Sequence, residues 1–440
     1  MKKRISIVFA AVLILSLLGG TGVAAADPEP VTIKFWHVWG GARLEMIDAM
    51  IADFQAEYPH ITVEHTLLDQ GDMIQKYLTA VASGDPPDVI MVHGANFFQS
   101  FADQGALMSL DDFVAADGMV LEDIFYQADM DTYVYDGSVY GLPLATGAGS
   151  FIFHIDGDIF EAAGLDPVVP ETWSELKTVA EALTVKDGDT ITQVGFDPYG
   201  FTNYPFKEWL FLNNGYLLSD DAKTVAFNSP EGLEVLTWMV DFYDDLYGGF
   251  DKVADLASAT GSGYNERDSW YSGLIGMHVD GVWHNAQLAA NAPEKNAISG
   301  LMPYNDANPD ATNRNIVEGG WAYSIPTGAP NSEAGWLFLK YATAGEGNLN
   351  FFMAQGRPTP VIAHNADPAM AEGNAHWDAY IANIEVSEKS PVTPVSGQIN
   401  EVITLMTEEA LFGTKTPEEA LADGAAAIQE ILDEFWASVE

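Results

Sequence analysis

The chain has 440 residues, 48% hydrophobic and 12% aromatic, so it forms a globular core, and at roughly 150 residues per domain it exceeds a single one. Its 64 acids against 18 bases leave a formal net charge of −46 spread along the chain, a field that repels polyphosphate and disfavours nucleic acid and anionic membranes as partners. With no cysteine, disulfides, thiolate catalysis, iron–sulfur clusters and cysteine-bound zinc are excluded.

Met1 to Arg4 is basic, Ile5 to Leu18 is mostly apolar, and Ala24-Ala25-Ala26 precedes Asp27, the pattern of a signal peptide over residues 1–26. Gly19-Gly20 cuts the apolar run short of the ~20 residues that span a bilayer. The expectation is a soluble exported protein, periplasmic or extracellular, and not a lipoprotein, since no cysteine is present to carry lipid. Val31 to Trp36 reads as a strand. Leu44, Ile47, Ile51, Phe54 and Tyr58 then recur at helical spacing until Pro59, and Ile61-Thr62-Val63 is the next strand. Ile74, Tyr77, Leu78 and Val81 mark a second helix that breaks at Gly84-Asp85-Pro86-Pro87. The uninterrupted apolar run Val89 to Val92 suits a strand covered on both faces.

This β-α-β-α-β order predicts a doubly wound α/β lobe, with ligand beyond the carboxyl ends of the strands, at loops His37 to Gly41 and His93 to Phe97. Farther on, Thr172-Trp173-Ser174-Glu175, Ser229-Pro230-Glu231 and Thr416-Pro417-Glu418-Glu419 carry helix-start signals. Ser150 to Ile155 and Ile275 to Val279 read as strands, Tyr304 to Asn315 as a surface loop, and Ala427 to Phe435 as an amphipathic helix packing on a lobe.

Strong catalytic motifs are missing: there is no Gly-x-Ser-x-Gly elbow, no His-Glu-x-x-His and no P-loop. Gly147-Ala148-Gly149 and Gly261-Ser262-Gly263 lack the third glycine of a dinucleotide fingerprint, and Asp187-Gly188-Asp189 lacks the distal glutamate of a calcium loop and reads as a solvated turn. No two of the nine histidines stand three or four apart on a helix, so no metal-ligand face is visible. The expectation is a non-enzyme without cofactor or metal. A secreted glycoside-acting enzyme is the alternative from another class, since spacing among 64 acids cannot single out a catalytic pair.

Five segments in order resemble the extracellular solute-binding proteins of carbohydrate ABC importers, the family of maltodextrin- and glycerol-3-phosphate-binding proteins. They are Ile33 to Gly41, Gly84 to Val89, Tyr140 to His154 with Phe160 to Trp173, Gly276 to Trp283, and Gly319-Gly320-Trp321. Phe153-His154 stands where Tyr-Asn is usual, and Val282 replaces the proline before Trp283, a change expected to loosen the loop that aims the indole.

The resemblance implies a two-lobed periplasmic-binding-protein fold with a hinge crossed more than once. It places lobe one at 27–142 and 316–361, and lobe two at 143–315 and 362–440. It implies a monomer that carries ligand in the interlobe cleft to membrane permease subunits. An indole or phenol can stack on the apolar face of a sugar while carboxylate, amide and imidazole groups pair with its hydroxyls. Trp283 and Tyr204 are expected to stack by their similarity to maltodextrin-binding positions, and Trp36 or Trp39 by loop position. Trp321 is a further candidate, with Gly320 allowing close approach of ligand to backbone. His37, His93, Asn96, Asp280 and Glu318 are candidates for hydroxyl recognition, and Arg357 either clamps ligand or pairs with an acid at the hinge.

Only Arg43, Arg267, Arg314 and Arg357 remain as arginines beyond the leader, which favours a neutral mono- or oligosaccharide. Arg43, beside Gly40-Gly41 at the first helix start, keeps glycerol-3-phosphate or its diesters as the alternative.

Overall fold

The structure, a computed structural model, describes residues 28–200, 205–254, 268–317 and 319–439. The expected signal peptide, Tyr204, Arg267 and Glu318 lie outside the described residues, as does the side chain of Asn96.

Two five-stranded sheets organise the chain. In the first, Ile61–Leu67, Val31–His37 and Val89–His93 run parallel, and Trp321–Ser324 inserts antiparallel between Val89–His93 and Leu142–Ala145. The helices Ala42–Glu57 and Gln70–Ser83 supply the crossovers, the second stopped by Gly84 at φ 76°. Val89 to Val92 is fully buried, as an apolar run covered on both faces requires. The second sheet has the order Ala297–Gly300, Phe151–Asp156, Ile275–Gly281, Thr190–Phe196, Val185–Asp187. Asp187 and Thr190 close its edge hairpin through Gly188, at the turn expected there.

Each sheet has its own core. The first gathers residues from Ile33 to Ala145 and from Ala322 to Trp377; the second gathers residues from Phe151 to Met302 and from Ile399 to Leu432. The helix caps stand where the sequence places them. Thr172 caps Trp173–Leu183, Ser229 caps Pro230–Tyr247, and at the start of Pro417–Val439 the N–H groups of Thr416 and Glu419 each donate to the other's side chain. The last helix buries Ala425, Ile428 and Leu432 in the second core.

The segment Tyr304 to Asn315 is an irregular loop with Asp306, Ala307, Pro309, Asp310 and Thr312 exposed, as expected, but it is anchored at both ends. Asn305, Ala311, Arg314 and Asn315 are buried, because Asn305 and Asn308 both donate to Asn213 and Asn315 donates to the Phe151 carbonyl. These bonds supply the partners that buried backbone and amide groups need.

Three passages between the sheets pack together. Ala148, Val317 and Ile384 form a small cluster, Asn315–Val317 pairs in parallel with Ser387–Lys389, and the Gly149 N–H donates to Ser387 Oγ at 2.7 Å. On the first lobe, the buried Asp129 takes the N–H groups of Gly147 and Ala148 and the hydroxyl of Thr146, which latches the first passage.

Close approach of helix to strand in the second lobe depends on Gly195, where an added Cβ would sit 2.0 Å from the Ala180 carbonyl oxygen. Gly195→Ala is expected to destabilise the protein by about 3 kcal/mol, because backbone rather than a flexible side chain must yield. Urea denaturation of variant and parent measures it.

Candidate functional site

The carboxyl ends of the central strands of the first sheet face the second lobe with a set of rings. Beyond the strand Val31–His37, Trp39 stacks on Phe351 with centroids 5.6 Å apart and planes 9° from parallel, and meets Trp321 edge-on at 5.9 Å. The Arg43 guanidinium lies 4.9 Å from the Trp39 ring centre. Trp321 pairs in register with His93, whose ring it meets edge-on at 4.8 Å. Burial pushes the His93 imidazole down to about 4, so it is neutral at pH 7.

From the second lobe, Trp283 caps the helix His284–Asn291, half-buried against the second core and edge-on to Phe151 at 5.8 Å. Its ring folds over Gly281, where an added Cβ would lie 2.2 Å from the indole. Val282 does not loosen this turn as expected. Its side chain is buried with Ile152 and Tyr380, and its N–H, which proline would lack, donates to the Ser150 carbonyl at 3.0 Å.

Arg357 joins the two halves. It follows the helix Glu346–Met353 and is 3% exposed, with its guanidinium 5.3 Å from the Phe352 ring and 5.8 Å from the Trp283 ring. Burial and the neighbouring Arg43 charge push it down to about 9, and its Nε is sealed without a hydrogen-bond partner. Among the described residues no carboxylate pairs with Arg357.

The structure thus brings together Trp39, His93, Trp283, Trp321 and Arg357, with Arg43, Phe351 and Phe352 beside them. Other candidates stand apart. Trp36 packs half-buried on the first core, and His37 is buried with its Nε2 2.9 Å from His65 Nδ1. Asp280 is 6% exposed and turned to the histidines, its Oδ2 3.2 Å from His284 Nδ1. Gly320 serves protein packing: an added Cβ would sit 2.1 Å from the Ala145 carbonyl, so the close approach it allows is to the neighbouring strand. Phe351 and Phe352 are not legible as site residues in the sequence, because helical spacing alone marks them as core and nothing local shows that Trp39 and Arg357 fold onto them.

Two α/β lobes, packed passages between them and rings converging from both sides define a two-lobed solute-binding protein. Residues 43–348 match the bacterial extracellular solute-binding protein family, and the chain belongs to it. Relatives include a putative binding protein of Brucella abortus, 22% identical over 428 residues, spanning 95% of this chain and 96% of that one. An uncharacterized ABC transporter extracellular-binding protein of Pyrococcus horikoshii is 21% identical over 451 residues, 93% of this chain and 97% of its own.

Among solved structures, an ABC transporter solute-binding protein of Thermotoga lettingae bound with α-D-tagatose is 25% identical with a TM-score of 0.74, covering 91% of this chain and all but 1% of that one, 99%. The GacH receptor of Streptomyces glaucescens, solved unliganded and with acarbose, is 22% identical with a TM-score of 0.76, covering 92% and 99%.

Proposed function

We propose that the protein binds a neutral mono- or oligosaccharide between its lobes and delivers it, chemically unaltered, to the permease of an ABC importer. The observation that carries this reading is a half-buried indole in each lobe, Trp321 in the first and Trp283 in the second, linked through Trp39, Phe351, Phe352 and Arg357. An indole offers a flat apolar face matched to the C–H face of a pyranose, and closing two such faces on one ring removes apolar surface from water on both sides. Trp39, with Phe351 and Arg43 against its ring, holds Trp321 in place rather than stacking on ligand itself. Sugars named with structures similar to this one, tagatose and acarbose, support the same ligand class.

In this reading the bodies that close are the two cores, with 146–150, 315–317 and 383–389 as the hinge. The protein acts as a free monomer outside the cytoplasmic membrane after removal of residues 1–26, and it has no catalytic role.

Arg357 favours a second reading. A buried cation beside Arg43, with no acid partner among the described residues, would gain an ion pair from a phosphate, as in glycerol-3-phosphate or its diesters. A thermal-shift panel separates the two, because ligand that binds the native state raises the melting temperature. Neutral sugars are expected to raise it and to be recovered intact. A shift with glycerophosphates alone would establish the second reading, and a hydrolysed product would establish an enzyme.

A further inference from the structure

One face of the second sheet carries a histidine cluster that sugar binding does not use. His154 pairs in register with His278 on one neighbouring strand and with Ser299 on the other, and Asp280, two residues past His278, shares that face. His284, at the start of the helix His284–Asn291, closes over it and stacks on His154 with centroids 4.0 Å apart. Of the nine histidines in the sequence four meet here: strand register joins His154 to His278 across 124 residues, and His284 and His376 pack against them from outside the sheet.

We propose that His278, Asp280 and His284 bind one divalent transition-metal ion, for which Zn2+ is the probe. Donor atoms of these residues, one from each, all lie within 4.8 Å of one another. With metal–ligand bonds of roughly 2.0–2.1 Å, donors around a tetrahedral ion stand about 3.3 Å apart. Asp280 Oδ2 and His284 Nδ1 are already 3.2 Å apart, and Asp280 Oδ2 and His278 Nε2 are 3.9 Å apart, so closing on an ion takes only a small side-chain movement. Two imidazoles and a carboxylate form a set suited to zinc, with the fourth position left to water or a further side chain.

The surroundings agree. The Nε2 atoms of His154, His278 and His284 are sealed from solvent without hydrogen-bond partners, a state that buried polar groups rarely keep and that a bound ion would relieve at His278. Ser299 Oγ lies 2.8 Å from both His154 Nδ1 and His376 Nδ1, which fixes the ring stacked on His284. The cation near the cluster, Lys295, is paired with Asp156 and lies over Trp270, which itself stacks on His278 at 4.7 Å. Because His284 directly follows Trp283, the ion would pin the turn Gly281 to His284. The site stands independently of which solute the cleft takes.

The test uses untagged mature protein stripped with EDTA, dialysed against zinc and analysed for bound metal and melting temperature. One zinc per chain and a raised melting temperature are expected, and His278→Gln and His284→Gln should each weaken zinc affinity by roughly tenfold or more. His60→Gln, outside the cluster, should leave it unchanged. Absence of bound zinc, or unaltered affinity in both cluster variants, would overturn the proposal. Should either variant fail to fold, Co2+ added to the parent protein gives the answer: intense visible bands of a four-coordinate ion support the site, and the pale spectrum of hydrated cobalt sinks it.

Discussion

Trp283→Ala is expected to weaken sugar affinity by more than about tenfold, at least 1.4 kcal/mol, while the protein still folds. On the proposed reading the indole is a flat surface of the second lobe against the sugar, and its removal would leave one side of the sugar ring against smaller groups or water. The turn itself should survive, because it is held from both ends. Val282 is buried with Ile152 and Tyr380, and His284 is buried beneath the helix it begins. Gly281→Ala offers an independent check. It keeps the indole but drives a methyl group into the space the ring occupies, so affinity should fall with the aromatic surface still present. Calorimetric titration with the sugar that gives the largest thermal shift measures both. Unchanged affinity in Trp283→Ala would remove that residue from the site, whereas loss in Trp283→Ala with recovery in Trp283→Phe would locate the effect in the aromatic face.

What could be read in advance follows from the range of the physical signal. Helix starts at Thr172, Ser229 and Thr416 are set by groups within four residues, and all three caps form as expected. The opening β-α-β-α-β order is likewise carried by local periodicity and the breaks at Pro59 and Gly84 to Pro87. The segment Gly319-Gly320-Trp321 signals a return to the first lobe, but the place of Trp321–Ser324 between the strands that begin at Val89 and Leu142 is not set locally, because its partners lie roughly two hundred residues away in the chain. The same distance hid the burial of Asn305 and Asn315: their composition signals a surface turn, and only Asn213 and Phe151, brought up by the fold, satisfy their amides. At the candidate site, Trp39 and His93, which loop position suggests, both meet Trp321. Loop position could not show that His37, only two residues from Trp39, turns into the sheet toward His65. Side-chain direction alternates along a strand, so one residue's shift in where the strand ends changes which ring reaches the cleft. The departure at Val282 carried the opposite lesson: the missing proline was visible, but the hydrogen bond that replaces its stiffness required Ser150 to be in place.

Acid should destabilise the protein between pH 6.5 and 4 through histidines held neutral, and His93→Gln is expected to remove a defined part of that loss. Burial lowers the folded-state value of His93 from 6.5 to about 4. As pH falls through 6.5 the unfolded chain takes up a proton that the native state refuses, so stability is complete above 6.5 and is lost progressively down to about 4. At 1.36 kcal/mol for each unit, this one residue accounts for about 3 kcal/mol across the window. Other groups act in the same range. His37 is held at about 4 by burial and by His65, adding a loss of the same sign. Asp129, which burial raises to about 6 against its three hydrogen bonds, has the opposite sign, since the native state takes up its proton first. Relief of repulsion among 64 acids also favours the native state as pH falls. The absolute curve therefore sums opposing effects, but each of these is common to parent and variant. The difference between them isolates His93: relative to the parent, His93→Gln should gain about 3 kcal/mol on going from pH 7 to pH 4. Urea titrations at half-unit intervals measure that difference, and parallel parent and variant curves would show that the imidazole at the end of the Val89–His93 strand is not held neutral.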